Sequence, residues 1–214
     1  MTTVLLTGFE PFAGAASNPS WDAVERVAQT WSGDAALVIE LLPVTFGGAS
    51  ASMRELIARH SPDVVIGVGL AEGRDAVTPE RVAINVEDAR IADNDGDQPI
   101  DRSISPDGPA AYFSGLPIRD ITARIREAGI PSRVSDSAGT YVCNSLMYST
   151  MQAVEGTDVM AGFIHVPCSP ELAVATGLPA LSVDDIARAL VVAIDVSLDT
   201  RANREVRPSA FPVR

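Results

Sequence analysis

The chain has 214 residues, 46% of them hydrophobic and 21% charged, with a formal net charge of −12; this fits one globular domain and excludes disordered, collagenous and membrane-spanning classes. All 16 cationic residues are arginine, so a Schiff-base lysine and the Gly-Lys-Ser/Thr phosphate loop are both excluded. The acidic balance also lacks the concentrated basic face that nucleic-acid binding requires.

Short β-rich runs alternate with helical patterns from end to end, which predicts an α/β domain with a mainly parallel sheet, no internal repeat and no linker. Met1 to Gly8 is apolar, but it has no basic flank and runs into Glu10 and Pro11. It therefore reads as a first strand, Thr3 to Thr7, and not as a signal peptide. Asn18 offers an N-cap with Pro19 at the first helical position, and Trp21, Val24, Ala28 and Trp31 recur on one face of the helix that follows. Ala36 to Val44 is predicted as the second strand, and Ala49, Met53, Ile57 and His60 line the next helix. Asp63 to Gly69 reads as a buried central strand. Arg81 to Val86 alternates and predicts another strand, followed by a long polar stretch from Glu87 to Gly108, the kind of loop that is functional or a subunit contact. Pro117 to Ala128 is an amphipathic helix closed by Gly129 and Pro131, and Ser132 to Ser137 is a short strand. A helix starts near Cys143, Val159 to Val166 forms a further strand, and Ser182 caps a last helix with Ile186, Leu190 and Ile194 on its face. Arg201, Arg204, Arg207 and Arg214 form the only basic cluster and read as a solvated terminus.

Two cysteines, Cys143 and Cys168, are too few for a disulfide framework and suit a reducing cytoplasm. With two histidines, His60 and His165, they are the whole supply of thiols and imidazoles. Cys143 stands at a predicted helix start, where partial positive charge and free N–H groups favour a thiolate and could receive an oxyanion. The competing reading is a small buried hydrophobe. His165 falls at the carboxyl end of a predicted strand, where open α/β sheets place their functional crevice; a histidine satisfied by backbone is the alternative. His60 ends a helix, where a cation complements the macrodipole. Glu80 precedes a strand and could orient an imidazole, although alone it reads as half of a surface ion pair with Arg81.

Three further patterns compete. Gly67 to Gly73 resembles a dinucleotide fingerprint but is one residue too long, and Pro79 interrupts the required helix. Asp93 to Asp97 resembles the start of a calcium loop, yet Gln98 and Ile104 occupy the positions of the obligatory glycine and acid. Cys143, His165 and Cys168 could supply three zinc ligands, which leaves a zinc-dependent hydrolase as an alternative.

Five blocks then carry a family resemblance: Thr7-Gly8-Phe9-Glu10-Pro11-Phe12, Thr78 to Asn85 (TPERVAIN), Ala89 to Asn94 (ARIADN), Ser137 to Asn144 (SAGTYVCN) and His165-Val166-Pro167. In order and spacing the chain resembles the pyrrolidone-carboxylate peptidase (pyroglutamyl peptidase I) family of cysteine peptidases. The resemblance implies one peptidase domain over residues 1–214, a three-layer αβα sandwich, no cofactor or metal, assembly as a homo-oligomer (dimer or tetramer), and removal of N-terminal pyroglutamate from peptides through a thioester. It places the family's triad on Cys143, His165 and Glu80. It also implies a lactam pocket of Phe9 and Phe12 with backbone groups near Tyr141 and Val142, and a helper role for Arg90 toward the oxyanion or loop order. Leu70, Glu72, Ala13 and Cys168 depart from the usual family residues. Leu70 in particular removes a hydrogen-bonding side chain near the pocket, which keeps a non-catalytic pyroglutamyl-binding homologue as a further alternative.

Overall fold

The computed structural model describes residues 1–174 and 177–206. Its centre is a five-stranded sheet in the order β2-β1-β3-β7-β4, built from β1 (Thr3–Phe9), β2 (Ala36–Leu42), β3 (Val64–Leu70), β4 (Thr78–Pro79) and β7 (Met160–Val166). All pairings are parallel except β4 against β7. A separate antiparallel pair joins β5 (Val82–Ile84) to β6 (Ala111–Phe113). The helices are α1 (Pro19–Thr30), α2 (Phe46–His60), α3 (Ile118–Glu127), α4 (Val142–Ala153), the short α5 (Pro170–Ala173) and α6 (Val183–Val206).

Strand alternation builds the three layers. Val4 and Leu6 of β1, Val64, Ile66 and Val68 of β3, and Met160, Ile164 and Val166 of β7 pack into one core with α1, α3 and α6. The intervening Leu5, Phe9, Val65, Ala161 and Phe163 face the second core, under α2 and α4. The α/β class, the αβα layering and the mainly parallel, mixed sheet are those expected.

Several boundaries and elements differ from the expectation. β1 runs on to Phe9 and β2 stops at Leu42. The run Arg81 to Val86 keeps only Val82–Ile84 as strand, because Thr78–Pro79 is a separate strand, missed by pattern because it is two residues long and contains proline. Ser132 to Ser137 makes isolated bridges at Ser132 and Ser135 and no strand. Trp31 lies just beyond α1, as its C-cap residue. Asn18 and Ser182 cap as expected, accepting from Ser20 N at 3.1 Å and Asp185 N at 3.1 Å.

The stretch from 87 to 108 is tied down at several points. Buried Glu87 accepts from Arg102 Nε at 2.8 Å and Ser145 Oγ at 2.6 Å. The Asp93 carboxylate accepts from the backbone N–H groups of Phe46, Asp95 and Asp97 at 2.9–3.0 Å, so the calcium-loop lookalike serves as an anion at the start of α2. Of the basic cluster, Arg201 is no solvated residue: it pairs with Asp63 Oδ1 at 2.8 Å and donates to Asp158 O at 2.9 Å. The side chain of Arg204, and Arg207 and Arg214 entirely, lie outside the described residues.

Candidate active site

Strands β1 and β3 are neighbours from which the chain leaves in opposite directions along the sheet, β1 leading to β2 and β3 toward β4 and β7, so a crevice opens beyond their carboxyl ends. A cavity of about 800 Å³ occupies it, lined by Phe9 and Leu70 from those strand ends and by Tyr141, Val142 and Cys143 from the start of α4. The turn into α4 passes through Gly139 at φ +81°, a left-handed conformation that a side chain would strain. Tyr141 is the extended N-cap residue, and no side chain caps the first turn, so free N–H groups stand beside Cys143.

Asn144 fixes that turn against β5. It accepts from Ile84 N at 2.9 Å and donates to Ile84 O and Val86 O, both at 2.9 Å. On the sheet side, a Cβ placed on Gly69 would lie 2.8 Å from Cys143 Sγ and 2.8 Å from the Phe163 ring. Gly69 is therefore the gap in β3 that admits the thiol. Its register partner on β7 is His165, and His165 shares the sheet face of Phe163, whose ring it meets edge-on at 4.9 Å.

Antiparallel pairing of Thr78 with His165 and Pro79 with Ile164 brings the next residue, Glu80, alongside the imidazole. Glu80 Oε1 lies 2.7 Å from His165 Nδ1 and accepts from Arg74 Nη1 at 2.6 Å. The surface pair with Arg81 does not form; Arg81 Nε instead binds Asp136 at 2.6 Å. The second carboxylate oxygen, Oε2, is buried near the Ser135 hydroxyl, which also reaches Ser137 O at 3.2 Å.

Burial dominates the protonation states. It pushes the Cys143 thiol up to about 12, reinforced by the charge of Glu80 and opposed by Arg74. Desolvation here works against the thiolate that the helix start would favour. Burial also lowers the His165 pKa, against the hydrogen bond that His165 donates to Glu80 and the charge of Glu80. For Glu80, burial raises the pKa, but the hydrogen bond and charge of His165, the Ser135 hydroxyl and the Arg74 guanidinium hold it below the ordinary carboxylate range. The three shifts favour a neutral thiol and a neutral imidazole beside an ionised carboxylate.

The cavity wall beside Cys143 is aromatic. Phe12 packs on Tyr141 at 5.6 Å and Phe46 meets Tyr141 edge-on at 5.2 Å, while the Tyr141 hydroxyl donates to Ala92 O at 3.1 Å. Phe9 is buried against Phe163 at 6.4 Å. Arg90 is exposed and lines the cavity with Leu70, Glu72, Ala13 and Cys168. Cys143, Phe9, Phe12, Arg90, Tyr141 and Val142 thus line the cavity, whereas His165 and Glu80 are buried behind it, reached through the Gly69–His165 register pair. His60 lies apart at the end of α2, where the capping bond is made by Ser61 N to Ile57 O.

Sequence reasoning missed Gly69, Arg74 and Asn144. The only sign of Gly69 was the Gly-x-Gly of β3, which was weighed as a nucleotide motif. Among the described residues, no three His, Cys, Asp or Glu side chains converge as a metal-ligand set, so the zinc alternative has no donor cluster. No helix among them is long and apolar enough to cross a membrane.

A family model described as pyroglutamyl peptidase matches residues 2–200. The pyrrolidone-carboxylate peptidase of Clavibacter michiganensis is 49% identical over 199 residues, covering 92% of this chain and 93% of its own. That of Bacillus subtilis is 48% identical over 192 residues, 89% of each chain. The crystal structure of Bacillus amyloliquefaciens pyroglutamyl peptidase I superimposes with a TM-score of 0.90 at 45% identity, over 94% of this chain and 98% of that one. Pyrrolidone carboxyl peptidase from Thermococcus litoralis gives 0.90 at 38% identity over 100% of both. With a family model spanning nearly the whole chain and relatives of this identity and coverage, the chain belongs to the pyroglutamyl peptidase family.

Proposed function

We propose that the chain is a cysteine peptidase that removes N-terminal pyroglutamate from peptides, with Cys143 as nucleophile, His165 as acid and base, and Glu80 as the group that orients it. The observation that carries this reading is the stacking of Cys143 over Gly69, whose strand partner His165 is bonded to buried Glu80. Glu80 accepts the Nδ1 proton and leaves Nε2 unprotonated, free to take the thiol proton as Sγ attacks the exocyclic amide carbonyl. The neutral resting pair suits this order, because the thiolate is then made only as it reacts. First-turn N–H groups of α4 receive the oxyanion, with Arg90 assisting from the cavity wall. Imidazolium protonates the leaving amine, and His165 then activates water against the thioester.

The substrate's flat, uncharged lactam suits the aromatic wall. Phe9, Phe12 and Tyr141 can pack on the ring, and backbone groups at Tyr141 and Val142 can pair with its amide. We read residues 1–214 as one peptidase domain that needs no cofactor and works in a reducing cytoplasm, consistent with two free thiols. We also propose a homo-oligomer, dimer or tetramer; exposed Ile91 (53%), Ile100 (80%) and Phe113 (69%) supply apolar surface for it.

The test compares chromophoric amides of pyroglutamate and of unblocked glutamate, with and without iodoacetamide. The expected result is release from the pyroglutamyl amide only, abolished by alkylation and by Cys143→Ser, and unaffected by a chelator. Binding without turnover would favour the non-catalytic homologue. Activity that survives Cys143→Ser would overturn the assignment.

A further inference from the structure

Arg74 lies in the turn between β3 and β4, with its N–H on Ala71 O at 3.2 Å. Its Nη1 reaches Glu80 Oε1 at 2.6 Å and also the hydroxyl of Thr78; its Nη2 reaches Ser137 O at 3.5 Å. One guanidinium thus spans the acid, the strand that delivers it and the turn that leads into α4 and Cys143. The Glu80 oxygen it holds is the same one that faces His165 Nδ1. Thr78 extends the reach a second way, since its buried hydroxyl donates to His165 O at 3.3 Å.

The Glu80 side chain is 0% exposed. A carboxylate so buried tends to become neutral unless a permanent charge and hydrogen bonds compensate it. His165 cannot supply a permanent charge, because burial holds it neutral at rest. Arg74 can, since arginine stays charged in proteins. A protonated Glu80 would be a weaker acceptor for the Nδ1 proton, and the tautomer with Nε2 as base would lose its support. The Arg74 guanidinium is taken up by Glu80, Thr78 and Ser137 O, so it would act through Glu80 and His165 and not on substrate. The titratable and charged groups interacting with the pair are Arg74 from the turn and Cys143 from α4. Glu72 acts on Cys168.

We propose that Arg74 is a positioning residue of this site: by bridging Glu80, Thr78 and the Ser137 turn, it keeps the Glu80 carboxylate ionised and aimed at His165 Nδ1. The inference rests on the peptidase reading, but its main test does not require activity. The chain has two histidines, so imidazole NMR can follow His165 across pH with His60 as internal control. Removing the guanidinium strengthens the pair's hold on a proton. In Arg74→Gln the His165 midpoint should therefore rise by about half a pH unit or more, while His60 stays unchanged.

Turnover of the pyroglutamyl amide should fall about 10- to 100-fold, mainly in kcat, and the acid limb of kcat/KM should move up with the imidazole midpoint. Arg74→Lys retains the charge without the three-way bridge, so it should restore most of the midpoint while kcat stays several-fold low. A His165 midpoint within about 0.2 unit of wild type in Arg74→Gln would overturn the proposal. So would a pH-independent loss of kcat/KM that Arg74→Lys does not relieve. Should Arg74→Gln fail to stay folded, Arg74→Lys decides the matter, because full wild-type kcat there removes any positioning role. Wild-type protein inactive on every pyroglutamyl amide would count against the peptidase reading alone, since the NMR shift would still report whether Arg74 controls the pair.

Discussion

The chemistry of this site is concentrated in a few atoms, and scarcity made some of them readable. With four thiol or imidazole residues in the chain, position marked Cys143 and His165 as candidates and set His60 aside at a helix end, the family resemblance assigned the catalytic roles, and Cys168 stayed unresolved. Glu80 was harder, because its sequence neighbour is Arg81 whereas its structural partners are His165 and Arg74. Glu80→Gln should retain measurable turnover while His165→Ala should not, in steady-state assays, because the orienting member of a triad is the less costly to lose. Gly69 could not be recognised from sequence, since its importance lies in a contact with a residue 74 positions away. A methyl there must displace Cys143 Sγ or the Phe163 ring. Gly69→Ala should lower kcat at least about 10-fold and cost about 1–3 kcal/mol of stability, measured by steady-state kinetics and urea unfolding. An active, fully stable variant would show that the thiol does not need that gap.

At the scale of elements, helix starts, caps and the alternating strands were legible because each depends on residues a few positions apart. Asn18, Ser182 and the faces of β1, β3 and β7 follow those local rules. Strands β4 and β6 were not legible: two or three residues carry no period, and they exist because partner strands complete them. The most informative docking is that of α4. Asn144, the residue next to Cys143, satisfies three backbone groups of the β5 region. Asn144→Ala strands the half-buried Ile84 N–H and two carbonyls and frees the first turn, so it should cost about 1–3 kcal/mol in denaturant unfolding and reduce kcat as well. The segment 87–108 gains its order in the same way, from Glu87, Asp93 and Arg102 and not from any repeat of its own.

For the whole molecule, the buried site couples stability to pH. The folded pKa of His165 is depressed, so between that value and the ordinary imidazole pKa the unfolded chain binds a proton that the folded one does not. Stability must therefore fall as pH drops through the imidazole range, by up to about 1.4 kcal/mol per pH unit from this one group. Glu80, also depressed, has the same sign at lower pH: its contribution is present above the ordinary carboxylate range and is lost as pH falls through its folded value. Urea unfolding between pH 7 and 5 should show the decline, and His165→Gln should flatten its upper part. An unchanged slope in that variant would mean that other groups govern it.

The sequence by itself determined the α/β class, the αβα architecture through family resemblance, most helix positions and the three catalytic candidates. The class and the helix positions depend on periodicity, capping and residue type, all of which are local in the chain, whereas the layering and the choice of Glu80 came with the family resemblance. Only the tertiary structure decided that Glu80 pairs with Arg74 and His165, that Gly69 makes room for the thiol, and that burial pushes the Cys143 thiol up. The physical reason is common to all three. Each depends on which distant groups share a buried space, because removal from water sets both the charge a side chain can hold and the neighbours it must have.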